Sequence, residues 1–381
     1  MARIYLDHAA TTAVRPEAVA AMVPLLGAYN PSSLHAEGRA ARRVVDDARA
    51  SVAGVLGAAP REVVFTGGGS EADGLAVLGA ARALGAGRRH LVTSAIEHPA
   101  VLRAVEILEA EGWRATRLPV DRRGLVDPAA FAAALTSETA LASIMLANNE
   151  IGVVQPVAEL ARLAHARGVL FHTDAVQAAG WLPLDVATLG VDLLALSAHK
   201  FHGPKGVGAL FVRSGVALAP LSGGGGQERG LRPGTENVAG IAGLAAALEL
   251  ADAERPAAAQ RVAALRDRLE SAVLAGIPGT LVNGAGAPRL PGVLSVAFAG
   301  VPSDALLLRL DLEGIAASAG SACAAGALEP SHVTAALGLD DAHRLGTIRF
   351  SLGRATTQAE IDAVIRRLPQ LLADIRTPLT V

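Results

Sequence analysis

The chain has a single cysteine, Cys323, among its 381 residues. One cysteine cannot form an internal disulfide, and it cannot supply the several thiolates of a structural zinc site. No metal site is predicted. With 51% hydrophobic residues, the chain instead has enough apolar side chains to bury a large core, and its length predicts a large domain with a smaller one.

The chain also lacks an excess of charge and a long apolar run. Its formal net charge is -2, which gives no basic surface for nucleic acid or for an anionic membrane. The longest stretch rich in Ala and Leu, residues 239–251, is shorter than the ~20 residues that span a bilayer. The first eight residues lack the apolar segment of a signal peptide. We therefore expect a cytoplasmic protein that binds neither nucleic acid nor membrane.

Lysine is nearly absent, since Lys200 and Lys205 are the two lysines in a chain that otherwise uses arginine. A lysine amine can lose its proton and condense with an aldehyde, whereas arginine stays protonated and cannot form an imine. Residues 191–197 form an apolar run typical of a strand, which places Lys200 just after the carboxyl end of that strand. Open α/β sheets bind ligands at this position. Scarcity alone would also fit two surface lysines.

From residue 62 onward, strand-like and helix-like segments alternate. This pattern predicts an α/β fold with a mostly parallel sheet and helices on both faces. Polar residues follow each strand, so they should gather at one edge of the sheet. A long Ala-rich helix is predicted over residues 236–253, ending before Pro256. We expect a large α/β domain at 13–255, and a smaller α+β domain that combines 1–12 with 256–381 and carries Cys323.

Several polar clusters have two interpretations when each is taken alone. Gly67-Gly68-Gly69-Ser70 precedes a helix and could bind a phosphate, or it could be a tight turn that needs glycine. Asp174 ends an apolar strand and needs a cationic partner, either a protonated ring nitrogen or a structural arginine. His98 and His199 could be structural or could contact a ligand. Thr235 lies at a second helix start. Together with Lys200, these groups match the contacts that pyridoxal 5′-phosphate requires.

Nine segments carry a resemblance to a known family. The sequence resembles the cysteine desulfurases of the class V aminotransferase group, which have the type I fold of pyridoxal-phosphate enzymes. The segments, in chain order, are 5–12 (Tyr5-Leu6-Asp7-His8-Ala9-Ala10-Thr11-Thr12), 30–33, 97–101, 148–152 (Asn148-Asn149-Glu150-Ile151-Gly152), 171–177, 197–206, 232–237, 320–323 (Gly320-Ser321-Ala322-Cys323) and 348–351.

The resemblance implies a role for each matched residue. Lys200 would carry the cofactor as an imine, His98 would stack on its ring and move protons, Asp174 would pair with the ring nitrogen, and Gln177 would bond its phenolic oxygen. Phosphate contacts would come from Gly69, Ser70, Ser197 and His199, with Thr235 reaching over from the second subunit of a homodimer. Asn149 and Arg349 would bind the substrate carboxylate, Asn149 would also contact the cofactor, and Cys323 would take up sulfur.

The implied activity is conversion of L-cysteine to L-alanine, with the sulfur left on Cys323 for an acceptor such as an iron–sulfur scaffold protein. A selenocysteine lyase, or another class V transaminase or lyase, is an alternative of the same class, although a transaminase has no need for Cys323. A nucleotide-binding α/β module and an inactive sulfur-transfer scaffold are alternatives of other classes. The sequence departs from the family at His8 and Gly74, where Asn is common, and at Gly69-Ser70, where Ala-Thr is usual.

Overall fold

The computed structural model describes residues 3–320 and 331–376. Its strands are β1 (Ile4–Tyr5), β2 (Val63–Thr66), β3 (His90–Ser94), β4 (Arg114–Leu118), β5 (Thr139–Ser143), β6 (Leu170–Asp174), β7 (Leu193–Ser197), β8 (Gly208–Val212), β9 (Thr280–Val282), β10 (Val293–Phe298), β11 (Ile315–Ala316) and β12 (Thr347–Ser351).

Its α-helices are α1 (Pro16–Met22), α2 (Ala36–Leu56), α3 (Gly69–Gly74), α4 (Ala80–Leu84), α5 (Pro99–Ala110), α6 (Pro128–Ala134), α7 (Val157–His165), α8 (Val186–Leu189), α9 (Val238–Gly276), α10 (Ser303–Leu312), α11 (His332–Ala336), α12 (Asp341–Arg344) and α13 (Gln358–Arg376). A π-helical stretch, Leu75–Gly79, joins α3 to α4. Short 3-10 helices are Val23–Leu25, Pro60–Glu62, Gly85–Gly87, Ala198–Lys200 and Gln227–Gly230. Within the described residues, no helix is long and apolar enough to cross a membrane.

The large sheet has the strand order β2-β8-β7-β6-β5-β3-β4 over the described part of the chain. Strand β8 runs antiparallel to both of its neighbours, while the other pairs are parallel. Every residue of β7 is buried, because helices cover both faces of the sheet. Leu194 and Leu196 pack into one apolar cluster, and Leu193 and Ala195 pack into another. The predicted α/β fold with a mostly parallel sheet is confirmed.

A smaller layer packs beside this sheet. Strands β12, β10 and β9 form an antiparallel sheet, and the N-terminal strand β1 pairs in parallel with β11. Ile4 and Leu6 therefore share an apolar cluster with the C-terminal part of the chain. The division of the chain into domains at residue 255 stays a prediction.

The predicted end of a helix before Pro256 is wrong. Helix α9 continues through Pro256 to Gly276. A proline removes one backbone donor from the helix interior, and packing of the helix can offset that loss. Leu244 lies in the cluster under the large sheet, and Leu269 lies in the cluster of the smaller layer. One helix thus joins the two layers.

A buried ion pair fixes the start of the first long strand. Arg49 on α2 donates to both carboxylate oxygens of Glu228, at 2.8 and 2.7 Å. The same carboxylate accepts from the backbone N–H of Phe65. The Glu228 backbone is left-handed, with φ of 44°, so the pair holds a strained loop against the sheet edge.

Replacing Arg49 tests how much this ion pair contributes to the free energy of unfolding. Arg49→Ala should lower the free energy of unfolding by about 3–5 kcal/mol, because it leaves the buried Glu228 carboxylate without its cation. Urea denaturation measures the change. The control is Arg3→Ala, whose exposed pair with Asp311 should be worth about 1 kcal/mol or less. Equal losses in the two variants would contradict the prediction.

Candidate active site

A cavity of about 240 Å³ opens at the carboxyl edge of the large sheet. Parallel strands end there, so the side chains that follow them converge. Ten of the twelve residues predicted from the sequence line this cavity: Gly69, Ser70, His98, Asn149, Asp174, Gln177, Ser197, His199, Lys200 and Arg349.

Lys200 ends the 3-10 turn that directly follows β7. Its Nζ donates to the backbone carbonyl of Ala9 at 2.6 Å and to that of Ala10 at 2.9 Å. The N-terminal segment therefore orients the amine within the cavity. Lys205, five positions later, is exposed and lines a neighbouring surface hollow instead.

Asp174 is the last residue of β6 and is 5% exposed. One of its carboxylate oxygens accepts from the N–H of Val176 at 2.9 Å. Burial raises the pKa of Asp174, while the nearby charges of His98 and Lys200 lower it. A cation next to this carboxylate would therefore keep it ionised.

His98 caps the N-terminus of α5, where its Nδ1 accepts from the N–H of Ala100 at 3.1 Å. This bond requires Nδ1 to be unprotonated, so the ring proton of the neutral form lies on Nε2. Burial lowers the pKa of His98, and the charge of Asp174 opposes that effect. A mostly neutral imidazole with one free nitrogen suits proton transfer near neutral pH.

The end of the cavity near α3 is shaped for close approach of an anion. A Cβ atom at Gly69 would lie 2.8 Å from Cγ2 of Val176 and 3.2 Å from Cβ of Ser197. Glycine is therefore needed here because of packing, and backbone N–H groups at the helix start remain accessible. Burial, followed by the charges of Lys200 and Lys205, lowers the pKa of His199 to about 4.

The opposite side of the cavity is formed by Arg349 of β12, which is 1% exposed. Its Nη1 donates to the carbonyl of Asn149 at 2.8 Å, and its Nη2 donates to a carboxylate oxygen of Asp7 at 2.7 Å. Its Nε has no hydrogen-bond partner among the described residues. A guanidinium with an unused buried donor fits an incoming carboxylate.

Two of the predicted residues do not join this group. Thr235 is exposed on the single chain and does not line the cavity. Cys323 lies outside the described residues.

Asp73 also lines the cavity, although it was not predicted from the sequence. The sequence does carry a signal for Asp73, which is its position within the apolar run 72–78. A charged residue rarely occupies the buried face of a helix.

The comparisons with known proteins agree with this geometry. The family profile described as aminotransferase class-V matches residues 4–364. A cysteine desulfurase IscS of Dictyoglomus turgidum is 46% identical over 98% of this chain and 95% of its own. A cysteine desulfurase of Rhodobacter capsulatus is 49% identical over 98% and 97%. The chain belongs to the cysteine desulfurase family.

A solved structure supports the same assignment. A NifS-like protein superposes with a TM-score of 0.91 and 36% identity, covering 98% of this chain and all of that one. The family resemblance and the type I fold expected from it are thereby confirmed.

Glu97 makes the stability of this region depend on pH. It is fully buried and accepts from Ser94 Oγ at 2.6 Å and from the N–H of Met145. Burial raises its pKa from 4.5 to about 8. Between these two values the folded chain keeps a proton that the unfolded chain releases, so the free energy of unfolding falls as pH rises.

The variant Glu97→Gln should reduce that fall. Its free energy of unfolding should change between pH 5.5 and pH 8 by roughly 2–4 kcal/mol less than in the parent. Urea denaturation at the two pH values measures this, with Glu106→Gln, an exposed glutamate, as the control. A parent-like pH dependence in Glu97→Gln would show that Glu97 is ionised throughout.

Proposed function

We propose that this protein is a cysteine desulfurase that uses pyridoxal 5′-phosphate to convert L-cysteine to L-alanine and leaves the sulfur as a persulfide on Cys323. The observation that carries the proposal is the convergence of Lys200, His98, Asp174 and Arg349 in one cavity. An amine, an imidazole, a buried carboxylate and a guanidinium together match the needs of this cofactor and an amino-acid substrate.

The residues present fit the cofactor. Gly69, Ser70, Ser197 and His199 all line the cavity and would supply donors to the phosphate group. Asp174 would pair with the ring nitrogen, and Gln177 with the phenolic oxygen. Thr235 would contact the phosphate of the second subunit in a homodimer, which agrees with its exposure on a single chain. When bound, this cofactor supplies an electron sink for the substrate Cα.

Lys200 would have two tasks in the reaction. Its Nζ would hold the cofactor, and when free of it the same nitrogen would take the proton from the substrate Cα. The carbonyls of Ala9 and Ala10, which accept from Nζ, would orient the amine in both tasks. The neutral ring of His98, with its proton on Nε2, would then move a proton at the substrate.

Arg349 would anchor the substrate carboxylate. Two of its nitrogens are already held by Asp7 and by the carbonyl of Asn149, so the guanidinium plane is fixed before substrate arrives. The unused Nε points to a charge-assisted hydrogen bond, and the side-chain amide of Asn149 would add a second one. A rigid anchor restricts the substrate to one orientation and lowers the entropy cost of reaching the reactive geometry.

The Cys323 thiolate would attack the sulfur of the bound cysteine. A bond forms between the two sulfur atoms, the bond between sulfur and the substrate Cβ breaks, and its electron pair stays with the carbon. That carbon takes a proton and leaves as the methyl group of L-alanine, so no external oxidant is needed. The sulfane sulfur would pass to an acceptor protein such as an iron–sulfur scaffold. The lone thiol favours this chemistry over transamination, which has no use for it.

The assignment of Lys200 is tested by replacing each lysine in turn. Lys200→Ala should abolish the visible absorption of the covalently held cofactor, whereas Lys205→Ala should keep it, because Lys200 lines the cavity with Asp174 and Lys205 does not. Borohydride reduction followed by peptide mass spectrometry locates the attachment. Cofactor fixed on Lys205 would refute the role proposed for Lys200.

The role of Cys323 is tested by Cys323→Ser. The variant should keep the visible spectrum and its change on addition of L-cysteine, because the thiol acts after substrate binding. Its release of sulfide in the presence of a reductant should fall by at least about 100-fold, since a hydroxyl cannot replace a thiolate as nucleophile in this step. Alanine and sulfide assays measure the loss. Desulfuration at the parental rate would assign Cys323 a structural role only.

A further inference from the structure

Asp73, which lines the cavity, faces the buried side chain of His172. Asp73 is 1% exposed on α3, and His172 on β6 has no exposed surface. Oδ1 of Asp73 lies 3.5 Å from Nε2 of His172. Neither atom has a hydrogen-bond partner in the described part of the chain. Buried polar atoms without partners are unfavourable, so a proton between these two atoms is the simplest way to satisfy both.

The surroundings of Asp73 do not favour a negative charge on it. One atom each of Asp73, His98 and Asp174 lies within 4.8 Å of the others. Burial, followed by the negative charge of Asp174, raises the pKa of Asp73 well above its ordinary value, and Glu97 would add to this effect only once it ionises. Two carboxyl groups in one dry site cannot both ionise without a large cost.

Of the two aspartates, Asp174 is the better site for the charge. It accepts a backbone hydrogen bond from Val176, and the charges of His98 and Lys200 both lower its pKa. The basic side chain that faces Asp73 is His172, at 3.5 Å, and burial lowers the pKa of His172 to about 3. A neutral imidazole cannot stabilise a carboxylate by charge. The proton therefore belongs on Asp73.

The histidine is held so that it can accept this proton. Its Nδ1 lies 2.8 Å from Oγ of Ser143 on the neighbouring strand β5. If Nδ1 carries the ring hydrogen and donates to Ser143, then Nε2 is an acceptor directed at Asp73. Side chains alternate along a strand, so His172 and Asp174 lie on the same face of β6, and of these two Asp174 lines the cavity.

We propose that Asp73 is a positioning residue that stays a neutral carboxylic acid, donates its proton to Nε2 of His172, and leaves Asp174 as the ionised carboxylate of the pair. A single negative charge then faces the ring nitrogen of the cofactor. This consequence rests on the proposed function, whereas the protonation state and the hydrogen bond are properties of the chain itself.

The protonation state is tested on the full chain, with and without added pyridoxal 5′-phosphate. Nitrogen-15 NMR of histidine-labelled protein, with His172→Gln to assign the signal, should show the Nδ1–H form of His172. An Nε2–H form or a doubly protonated ring would overturn the proposal. Infrared difference spectra between the parent and Asp73→Asn should show the C=O stretch of a protonated carboxyl, and a carboxylate band would refute it.

Three variants test the consequence for the cofactor. Asp73→Asn keeps a donor to His172, so its affinity for pyridoxal 5′-phosphate should stay within about threefold of the parent and the pH profile of the visible band should not move. Asp73→Ala removes the donor and should weaken binding about tenfold or more. Asp192→Asn, at a buried structural carboxylate paired with Arg213, should lower stability without changing the spectrum.

The outcomes separate the two proposals. An equal loss of affinity in Asp73→Asn and Asp73→Ala, or a shifted pH profile in Asp73→Asn, would show that Asp73 is a second ionised carboxylate and overturn this inference. A parent that binds no cofactor would instead refute the proposed function, and the NMR and infrared results would still decide the state of Asp73.

Discussion

The ion pair between Asp7 and Arg349 is the contact on which the arrangement of the site depends. Arg349 belongs to the smaller layer, and its guanidinium reaches the cavity only because Asp7 and the carbonyl of Asn149 satisfy two of its nitrogens. Breaking such a buried pair leaves an uncompensated charge, which costs about 3–5 kcal/mol. The same N-terminal segment supplies the carbonyls that hold Lys200 and the acceptor for Gln177 at Ala9. The segment from Asp7 to Ala10 therefore positions side chains that come from both the large sheet and the smaller layer.

This segment is itself fixed by the fold. β1 pairs with β11, and Ile4 and Leu6 are buried in the cluster of the smaller layer. The chain then crosses to the large sheet, where Thr12 Oγ1 donates to the carbonyl of His199 at 2.8 Å. Apolar burial at one end and backbone hydrogen bonds at the other leave little freedom between them. The geometry around Lys200 thus follows from contacts formed by residues that have no chemical role.

The sequence predicted the residues that directly follow strands, and it did so for a physical reason. Asp174 ends β6 and Lys200 follows β7, and parallel strands bring their carboxyl ends to one edge. Asp73 was missed because its place depends on which helix face packs inward. An aspartate in an apolar run indicates burial, but it does not show that the side chain lines the cavity. The continuous helix α9 was missed because local propensity at Pro256 competes with burial of Leu244 and Leu269 in separate clusters, and only the tertiary structure shows which effect wins.

The charges in the cavity also indicate which substrates it can accept. Arg349 on one side of the cavity and the helix start at Gly69 on the other side both favour anions. Asp174 lies between them and favours a cation. This pattern matches a cofactor with a phosphate and a cationic ring nitrogen, together with a substrate that carries a carboxylate. An amine without a carboxylate would leave Nε of Arg349 buried and unpaired, at a cost of about 1–3 kcal/mol. Under the proposed function, the preference for an α-amino acid would arise from this unsatisfied donor of Arg349.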